Sequence, residues 1–345
     1  MRSIIMTTCL GIESTAHTFS CSIVDEESIL SDVRSVYKPP EGSGIHPREA
    51  SRHHADESAA VLRDALATAG VRMSDVDVIA YSAGPGLGPC LRVGAVVARC
   101  LSSYHAKPLV PVNHAVGHIE LGIRLTGARD PLVLLVSGGH CMILLFSGRR
   151  WRVIGETLDI TPGQLLDQFG RELGFASPCG AKIEELASRS SRYIRLPYTV
   201  KGNDVSYSGL LTAAKKALEG NRVEDVCYSL QETAFAMLTE ATERALAFSR
   251  KEELMVVGGV AANRRLADML ATICNRQGAR LHVVPIKYAG DCGAQIACTG
   301  LPAYKAGISV EPSRAFVRQS WRIDSTDVPW RGDGTYKERA ADLID

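Results

Sequence analysis

The stretch Thr7-Thr-Cys-Leu-Gly-Ile-Glu-Ser-Thr-Ala-His-Thr-Phe-Ser-Cys-Ser-Ile-Val24 reads as a β-hairpin. The apolar run Thr7–Ile12 gives way to the small, polar segment Glu13–Thr18, and strand-like alternation resumes over Phe19–Val24. Two such runs around a short polar connection are the signature of paired strands. A third strand follows at Ser28–Val36. The plan then recurs as Leu132–Ser137, the turn Gly138–Gly139, His140–Phe146 and Trp151–Thr157. Gly11 and Gly138 stand 127 positions apart in the 345-residue chain. Two hairpin-first units, each followed by helices, predict a duplicated α/β domain with a cleft between its halves.

Helical patterns fill the intervals. Pro47 is placed to open a helix that runs over Arg48–Ala69 and stops at Gly70, in keeping with proline at the first helical position and glycine just past the end. Further helices are expected at Cys90–Tyr104, Asn113–Leu125, Gln164–Leu173 (opened by Pro162), Val223–Ser249 and Arg264–Gln277. The strands Val76–Ala80, Leu109–Val112 and Leu254–Val257 alternate with these helices, which predicts mainly parallel pairing behind each hairpin.

Composition narrows the class. The 345 residues carry a formal charge of +1, with 46% hydrophobic and 22% charged side chains, the make-up of an ordinary globular protein of about two domains. The most apolar run, Pro131–Phe146, is interrupted by Ser137-Gly-Gly-His140 and falls short of the ~20 residues that a membrane span needs. No export signal is visible. The ten cysteines are scattered without a C-x-x-C pair, so reduced thiols in a cytoplasmic protein are expected. A chain this close to neutral must hold any nucleic acid through a local patch or a helper subunit.

Four glycine-rich segments follow apolar runs: Gly11–Thr15, Gly84–Gly88, Ser137–Gly139 and Gly258–Asn263. Such turns bring backbone N–H groups close to a phosphate, and a following helix start adds favourable partial charge. A nucleotide or acyl-phosphate in the cleft is therefore expected. His114 and His118 lie four apart in Asn-His-Ala-Val-Gly-His-Ile-Glu, on one face of a helix, which suits a divalent metal. Ala115 stands where a zinc peptidase of the H-E-x-x-H type carries its glutamate base, which argues against proteolysis. Asp291, just before the last helix, is the candidate third ligand. Asp167 and Glu184 lie in helical context and read first as solvated carboxylates. The arginine-bearing stretches Arg149–Arg152, Arg189–Arg195 and Arg264-Arg265 read as surface charge unless the substrate is nucleic acid.

These residues resemble a known family. Gly11-Ile-Glu-Ser-Thr-Ala-His-Thr18, Gly44–Ala50, Ser82–Gly94, Asn113–Glu120, Val136-Ser-Gly-Gly139, Asp204–Leu210, Ser229–Thr233 and Val257–Leu266 are similar to stretches of the tRNA N6-adenosine threonylcarbamoyltransferases. The similarity is to their archaeal and eukaryotic branch, the catalytic subunit of KEOPS, formerly labelled O-sialoglycoprotein endopeptidase. It spans residues 7 to about 322. It implies an α/β fold of the actin/sugar-kinase (ASKHA) type, with two duplicated ribonuclease-H-like lobes around a ligand cleft. The implied lobes are 1–125, completed by a C-terminal helix over about 292–324, and 126–291. The implied reaction moves the threonylcarbamoyl group from threonylcarbamoyl-AMP to N6 of the adenosine 3′ of the anticodon, in tRNAs reading codons that begin with A. The family carries iron or zinc on positions matching His114, His118 and Asp291. Its substrate contacts match Leu135, Val136, Ser137, Gly138 and Gly139, together with Asp167, Gly180, Glu184 and Asn263. The cofactors implied are thus one Fe2+ or Zn2+ ion and a nucleotide ligand (threonylcarbamoyl-AMP, ATP or ADP). The partners implied are tRNA, a small protein kinase/ATPase and a small dimerising subunit.

Several positions depart from the family pattern. Leu135 occupies a position where many archaeal relatives place a tyrosine ligand, His140-Cys-Met142 replaces Asn/His-Thr-Gln, and Cys179 stands in for a glycine. The donor is a mixed anhydride whose leaving group, AMP, makes a protein nucleophile unnecessary; no general base is assigned. The competing readings are an ATP-dependent phosphotransferase of the same fold, which leaves the histidine pair unused, and a non-catalytic nucleic-acid scaffold. Ser325–Asp345, rich in charge and glycine, is expected to be a tail or linker, in some archaeal relatives leading to a fused kinase domain.

Overall fold

The computed structural model describes residues 6–332. The first hairpin unit forms β1 (Cys9–Glu13), β2 (Thr18–Val24) and β3 (Ile29–Val36), with antiparallel pairs Gly11↔Ser22 and Cys21↔Val33. Helix α1 (Pro47–Ala69) leads to β4 (Val78–Gly84), α2 (Gly88–His105), β5 (Leu109–Asn113) and α3 (His114–Thr126). Strands β4 and β5 pair in parallel beside β1, so the sheet order is β3-β2-β1-β4-β5. Pro47 opens α1 and Gly70 closes it in the left-handed conformation (φ 69°), where glycine carries no steric penalty.

The second half repeats this plan. Its strands are β6 (Leu132–Val136), β7 (Cys141–Ser147) and β8 (Arg150–Glu156). An enlarged helical insert follows, with α4 (Pro162–Glu172), α5 (Gly180–Ala187), the short pair β9 (Val200–Lys201) and β10 (Asp204–Val205), α6 (Ser208–Ala217) and α7 (Val223–Ser249). Then come β11 (Glu253–Val257), α8 (Arg264–Gln277), β12 (Arg280–Val283), α9 (Ile286–Ala289) and α10 (Gly293–Lys305). The order β12-β11-β6-β7-β8 is that of the first sheet with the strands exchanged one for one, which realises the duplication expected from the two hairpins.

The two halves exchange one helix each. Helix α3, which leaves the first sheet, buries Ala115, Val116 and Ile119 against Val133, Leu135, Met255 and Val257 of the second. Helix α10, which leaves the second half, buries Ala294, Ile296 and Ala297 against Cys9, Val78, Ala80 and Val110 of the first. The two helices also pack on each other. This approach explains Gly11: a Cβ there would stand 2.3 Å from the Gly293 carbonyl oxygen and 2.4 Å from the Ala297 nitrogen. Gly11 therefore lies inside β1 as a packing residue rather than in a turn.

Two sequence expectations fail at the C-terminus. The helix placed over 292–324 ends at Lys305, and 306–332 continues as irregular chain with three short 3-10 turns that bury Ala315, Ile323 and Val328. The segment from 325 is no linker as far as Gly332. Val328 is fully buried and its N–H donates to the Arg149 carbonyl at 2.9 Å. Trp330 Nε1 donates to Glu120 Oε2 at 3.1 Å, and Arg331 Nη1 to Glu120 Oε1 at 3.3 Å. Charge density misled the reading, because the charges at 327 and 331 are paired within the fold. The rest of the expected tail, 333–345, lies outside the described residues.

Candidate metal centre and ligand cleft

The site is assembled where α3 and α10 begin. Asn113, the last residue of β5, caps α3: its side-chain oxygen accepts from the N–H groups of Ala115 and Val116 at 3.0 and 3.2 Å. This fixes the first turn and turns His114 and His118 to one side, their ring centroids 4.7 Å apart and nearly perpendicular. Asp291, two residues before α10, approaches both. Its Oδ1 is 3.5 Å from His114 Nε2 and 3.3 Å from His118 Nε2. One ligand atom from each of the three residues fits within 4.8 Å.

Whether these residues suit a metal ion can be judged from the groups themselves. His118 is almost completely buried, and its Nε2, although 3.3 Å from Asp291 Oδ1, makes no well-aligned hydrogen bond among the described residues, an arrangement that suits a ligand shared by the two groups. Two imidazole nitrogens and a carboxylate are a common donor set for a catalytic divalent ion, leaving further positions open. The cluster can bind a metal.

Behind the ligands stands an acidic residue that the motif analysis did not single out. Glu13 Oε2 is 2.9 Å from His114 Nδ1, and its other oxygen accepts from Thr15 N at 2.6 Å. Gln295 of α10 places its amide 2.9 Å from the same ring nitrogen. Burial opposes charge on His114, but the Glu13 and Asp291 carboxylates outweigh it and hold its pKa at about 9. Burial drives His118 the other way, below its ordinary value. Burial also works against ionisation of Asp291, yet the two imidazoles override it and keep the carboxyl well below the usual range. The signal for Glu13 was its position at the carboxyl end of a central strand, where ligands bind in open α/β sheets.

His140 links this centre to the cleft. It is buried, and its ring stacks on His114 at 5.9 Å with a 28° interplanar angle. Burial, then the neighbouring His114 and His118, push its pKa down to about 3. The turn it closes is held from within, since Ser137 Oγ accepts from Gly139 N at 3.2 Å and His140 N at 3.0 Å. Gly138 and Gly139 face open space. By contrast, the Leu135 and Val136 side chains are fully buried in opposite packing layers, so only their main chain can meet a ligand.

Each of the remaining candidate residues holds a neighbouring segment. Asp167, on α4, accepts from Cys179 N at 2.7 Å, and burial raises its pKa. Gly180 starts α5, and Glu184 one turn on accepts from Arg264 N at 2.9 Å. Asn263 caps α8 by accepting from Leu266 N at 3.1 Å and donates to Gln231 Oε1 at 2.9 Å. Gly258 is pressed against the Val136 carbonyl, which sets the 258–263 turn beside the 137–140 turn.

Two duplicated five-stranded α/β units with a His-His-Asp centre at their junction define a protein of the actin/sugar-kinase fold. Solved structures of similar fold include HypF from T. kodakarensis (TM-score 0.63, 14% identity, 88% of this chain and 48% of that one) and a ROK hexokinase from Thermus thermophilus (TM-score 0.50, 14% identity, 87% and 99%). More specifically, a family model described as tRNA N6-adenosine threonylcarbamoyltransferase matches residues 28–298, and the chain belongs to this family. Relatives bearing that name include proteins of Caldivirga maquilingensis (52% identical, covering 93% of this chain and 97% of that one) and Staphylothermus marinus (50%, covering 94% and 100%).

Proposed function

We propose that the chain transfers the threonylcarbamoyl group of threonylcarbamoyl-AMP to N6 of the adenosine 3′ of the anticodon, in tRNAs reading codons that begin with A. The observation that carries this reading is the convergence of His114, His118 and Asp291 beside the glycine turn closed by His140, in a chain of this family. In the reaction the bond between the carbamoyl carbon and the phosphate oxygen breaks, and a bond from that carbon to N6 forms. AMP leaves with the electron pair and N6 loses a proton. The chain's task is to align a weakly nucleophilic amine with the carbonyl and to stabilise developing charge.

His114 Nε2, His118 Nε2 and an Asp291 oxygen would hold one Fe2+ or Zn2+ ion, for which this donor set is suited. When bound, such an ion supplies Lewis acidity and open positions for substrate oxygens. The Leu135 side chain has no donor atom, so coordination would be completed by substrate, water or another side chain. Glu13 keeps Nδ1–H of His114 directed at itself and Nε2 directed at the centre, the usual role of a carboxylate behind a ligating histidine.

The adenylate is assigned to the exposed turn of Ser137, Gly138 and Gly139, with the Leu135 and Val136 main chain below it and Asn263 opposite. Gly180 allows close approach at the start of α5, and Asp167 and Glu184 are acceptors for ribose hydroxyls when ionised. The expected partners are tRNA, a small protein kinase/ATPase and a small dimerising subunit of the KEOPS kind, in the cytoplasm. Among the described residues no helix is long and apolar enough to cross a membrane.

The test is transfer itself. The purified chain, with metal and the partner subunits, is incubated with threonylcarbamoyl-AMP and tRNA, and the modified nucleoside is measured by mass spectrometry. Formation of the N6 product that stops on chelation and returns with Fe2+ or Zn2+ is expected. Phosphorylation of a small sugar by ATP with no nucleoside product would overturn the reading.

A further inference from the structure

Three arginine-bearing stretches compete as contacts for a polyanion, and the structure distinguishes them. In the first, Arg150 is tied to Asp327 at 2.6 Å, Arg152 donates to the Ser147 carbonyl at 3.3 Å, and the intervening Trp151 is fully buried. In the third, Arg265 is held by both oxygens of Glu232 at 2.5 and 2.7 Å. The second lies on the 188–199 loop and differs in kind. Between Lys182 and Lys201 the chain carries five basic residues against two acidic, a net +3, although the whole protein carries only +1. Its arginines alternate with tyrosines, and Tyr193 and Tyr198 are 52% and 49% exposed.

The loop is braced along α7. Ser190 donates to Asp225 at 2.7 Å, Ser229 Oγ accepts from Ile194 N at 2.8 Å, Tyr193 meets Thr233 at 3.0 Å, and Tyr198 donates to Glu240 at 2.6 Å. The helical contacts from Asp225 to Glu240 extend over about 22 Å at 1.5 Å per residue. The rings are therefore anchored by their hydroxyls while part of each ring faces solvent. Arg189 pairs with Glu185, and Arg192 lies 3.7 Å from Asp225. Such surface pairs, Arg150–Asp327 included, are weak enough to be exchanged for phosphate, so the loop is set apart by its net charge and half-exposed tyrosines rather than by free arginines. The loop also continues directly from α5, which carries Gly180 and Glu184, and α7 supplies Gln231 to Asn263.

We infer that the 188–199 loop is the docking surface for the single-stranded anticodon loop of the RNA substrate, with bases stacking on Tyr193 and Tyr198 and phosphates held by Arg189, Arg192 and Arg195. This rests on the proposed reaction, which requires nucleotides flanking the target adenosine to pass beside the cleft. Stacking on aromatic rings combined with a basic track is how single strands are held, and it answers how a nearly neutral chain grips RNA.

The experiment is fluorescence anisotropy with a labelled anticodon stem-loop RNA and the full chain at about 50 mM salt, where such contacts are strong. Arg189→Ala, Arg192→Ala and Arg195→Ala together are expected to weaken binding at least tenfold and to lower the salt slope by about 2, at ~0.7 per single-strand phosphate contact. Tyr193→Ala is expected to cost about fivefold or more, while Tyr193→Phe, which keeps the ring, binds as the parent chain does. Arg149→Ala with Arg152→Ala is the comparator and stays within about twofold. Unchanged affinity in the triple variant with its metal content intact, or an equal loss in the comparator, overturns the assignment. So does a parent chain that binds no stem-loop RNA. A parent chain that binds the RNA through this loop but forms no N6 product supports the surface while refuting the reaction.

Discussion

Glu13 and His114, 101 positions apart in the chain, meet at 2.9 Å between carboxylate Oε2 and ring Nδ1. The second carboxylate oxygen is held by Thr15 N at 2.6 Å, so the pair cannot swing. Two strand ends of the first sheet thereby fix the orientation of one imidazole, whose far nitrogen points at Asp291.

If that contact orients the ligand, Glu13→Gln should weaken metal binding 10- to 100-fold, the usual effect of losing an outer-shell carboxylate, while circular dichroism stays native. A competition titration with a chromophoric chelator measures it. Parent-like metal affinity in the variant would show that the contact is incidental.

Removing a ligand has a larger effect. His114→Ala or His118→Ala should abolish stoichiometric metal retention and group transfer together, with the fold intact. Metal analysis after gel filtration, paired with the nucleoside assay, checks this. Full transfer activity in a metal-free variant would contradict the assignment of the centre.

Gly11→Ala tests the helix exchange. The new methyl would meet backbone atoms at 2.3 and 2.4 Å, which cannot rotate away. Overpacking of this type costs ~1–3 kcal/mol or more, read as a fall in the urea midpoint. Because α10 starts two residues after Asp291, metal affinity should fall as well.

The C-terminal segment gives a prediction opposite to the one its composition suggests. Arg331 and Glu120 are both nearly buried, and Arg331 lies 5.3 and 5.2 Å from the ring centroids of Phe146 and Trp151. Arg331→Met removes the charged partner of a buried carboxylate, leaving it Trp330 among the described residues, and should destabilise by about 3 kcal/mol. A thermal midpoint within one degree of the parent would sink this account.

Acid sensitivity should come partly from His54. Burial, with His53 beside it, pushes its pKa down to about 4, against an unfolded value of about 6.5. Below pH 6.5 the unfolded state binds more protons than the folded one, so stability falls as pH drops from 6.5 toward 4. About 2 kcal/mol should be lost between pH 6.5 and 5 through this residue. Denaturation series for the parent and His54→Gln should show a shallower slope in the variant.

What the sequence revealed depended on how local the cause was. Both hairpins and the parallel strands β4, β5 and β11 were legible, because apolar runs encode them within a few residues, whereas the short, half-exposed β12 was missed. The His114/His118 pair was legible for the same reason. Helix α10 was legible only in part: a helix after Asp291 was expected, but it ends at Lys305 rather than near 324. Helix α5 has only eight residues, too few for a periodic signal. The Glu13–His114 contact and the Arg331–Glu120 pair join distant positions, which no local pattern records. At the C-terminus, two charged positions looked solvated because their partners were far away in sequence.

The exchange of α3 and α10 makes the centre a clasp. His114 follows the last strand of the first sheet, and Asp291 follows the last strand and short helix of the second, so an ion shared between them spans the seam of the two halves. Scissoring of one half against the other must alter the distances among His114, His118 and Asp291. By thermodynamic linkage, whichever setting of the halves a bound ion would favour would in turn favour the ion. Chelation would then loosen the protein as a whole, at points remote from the three side chains that lose their partner.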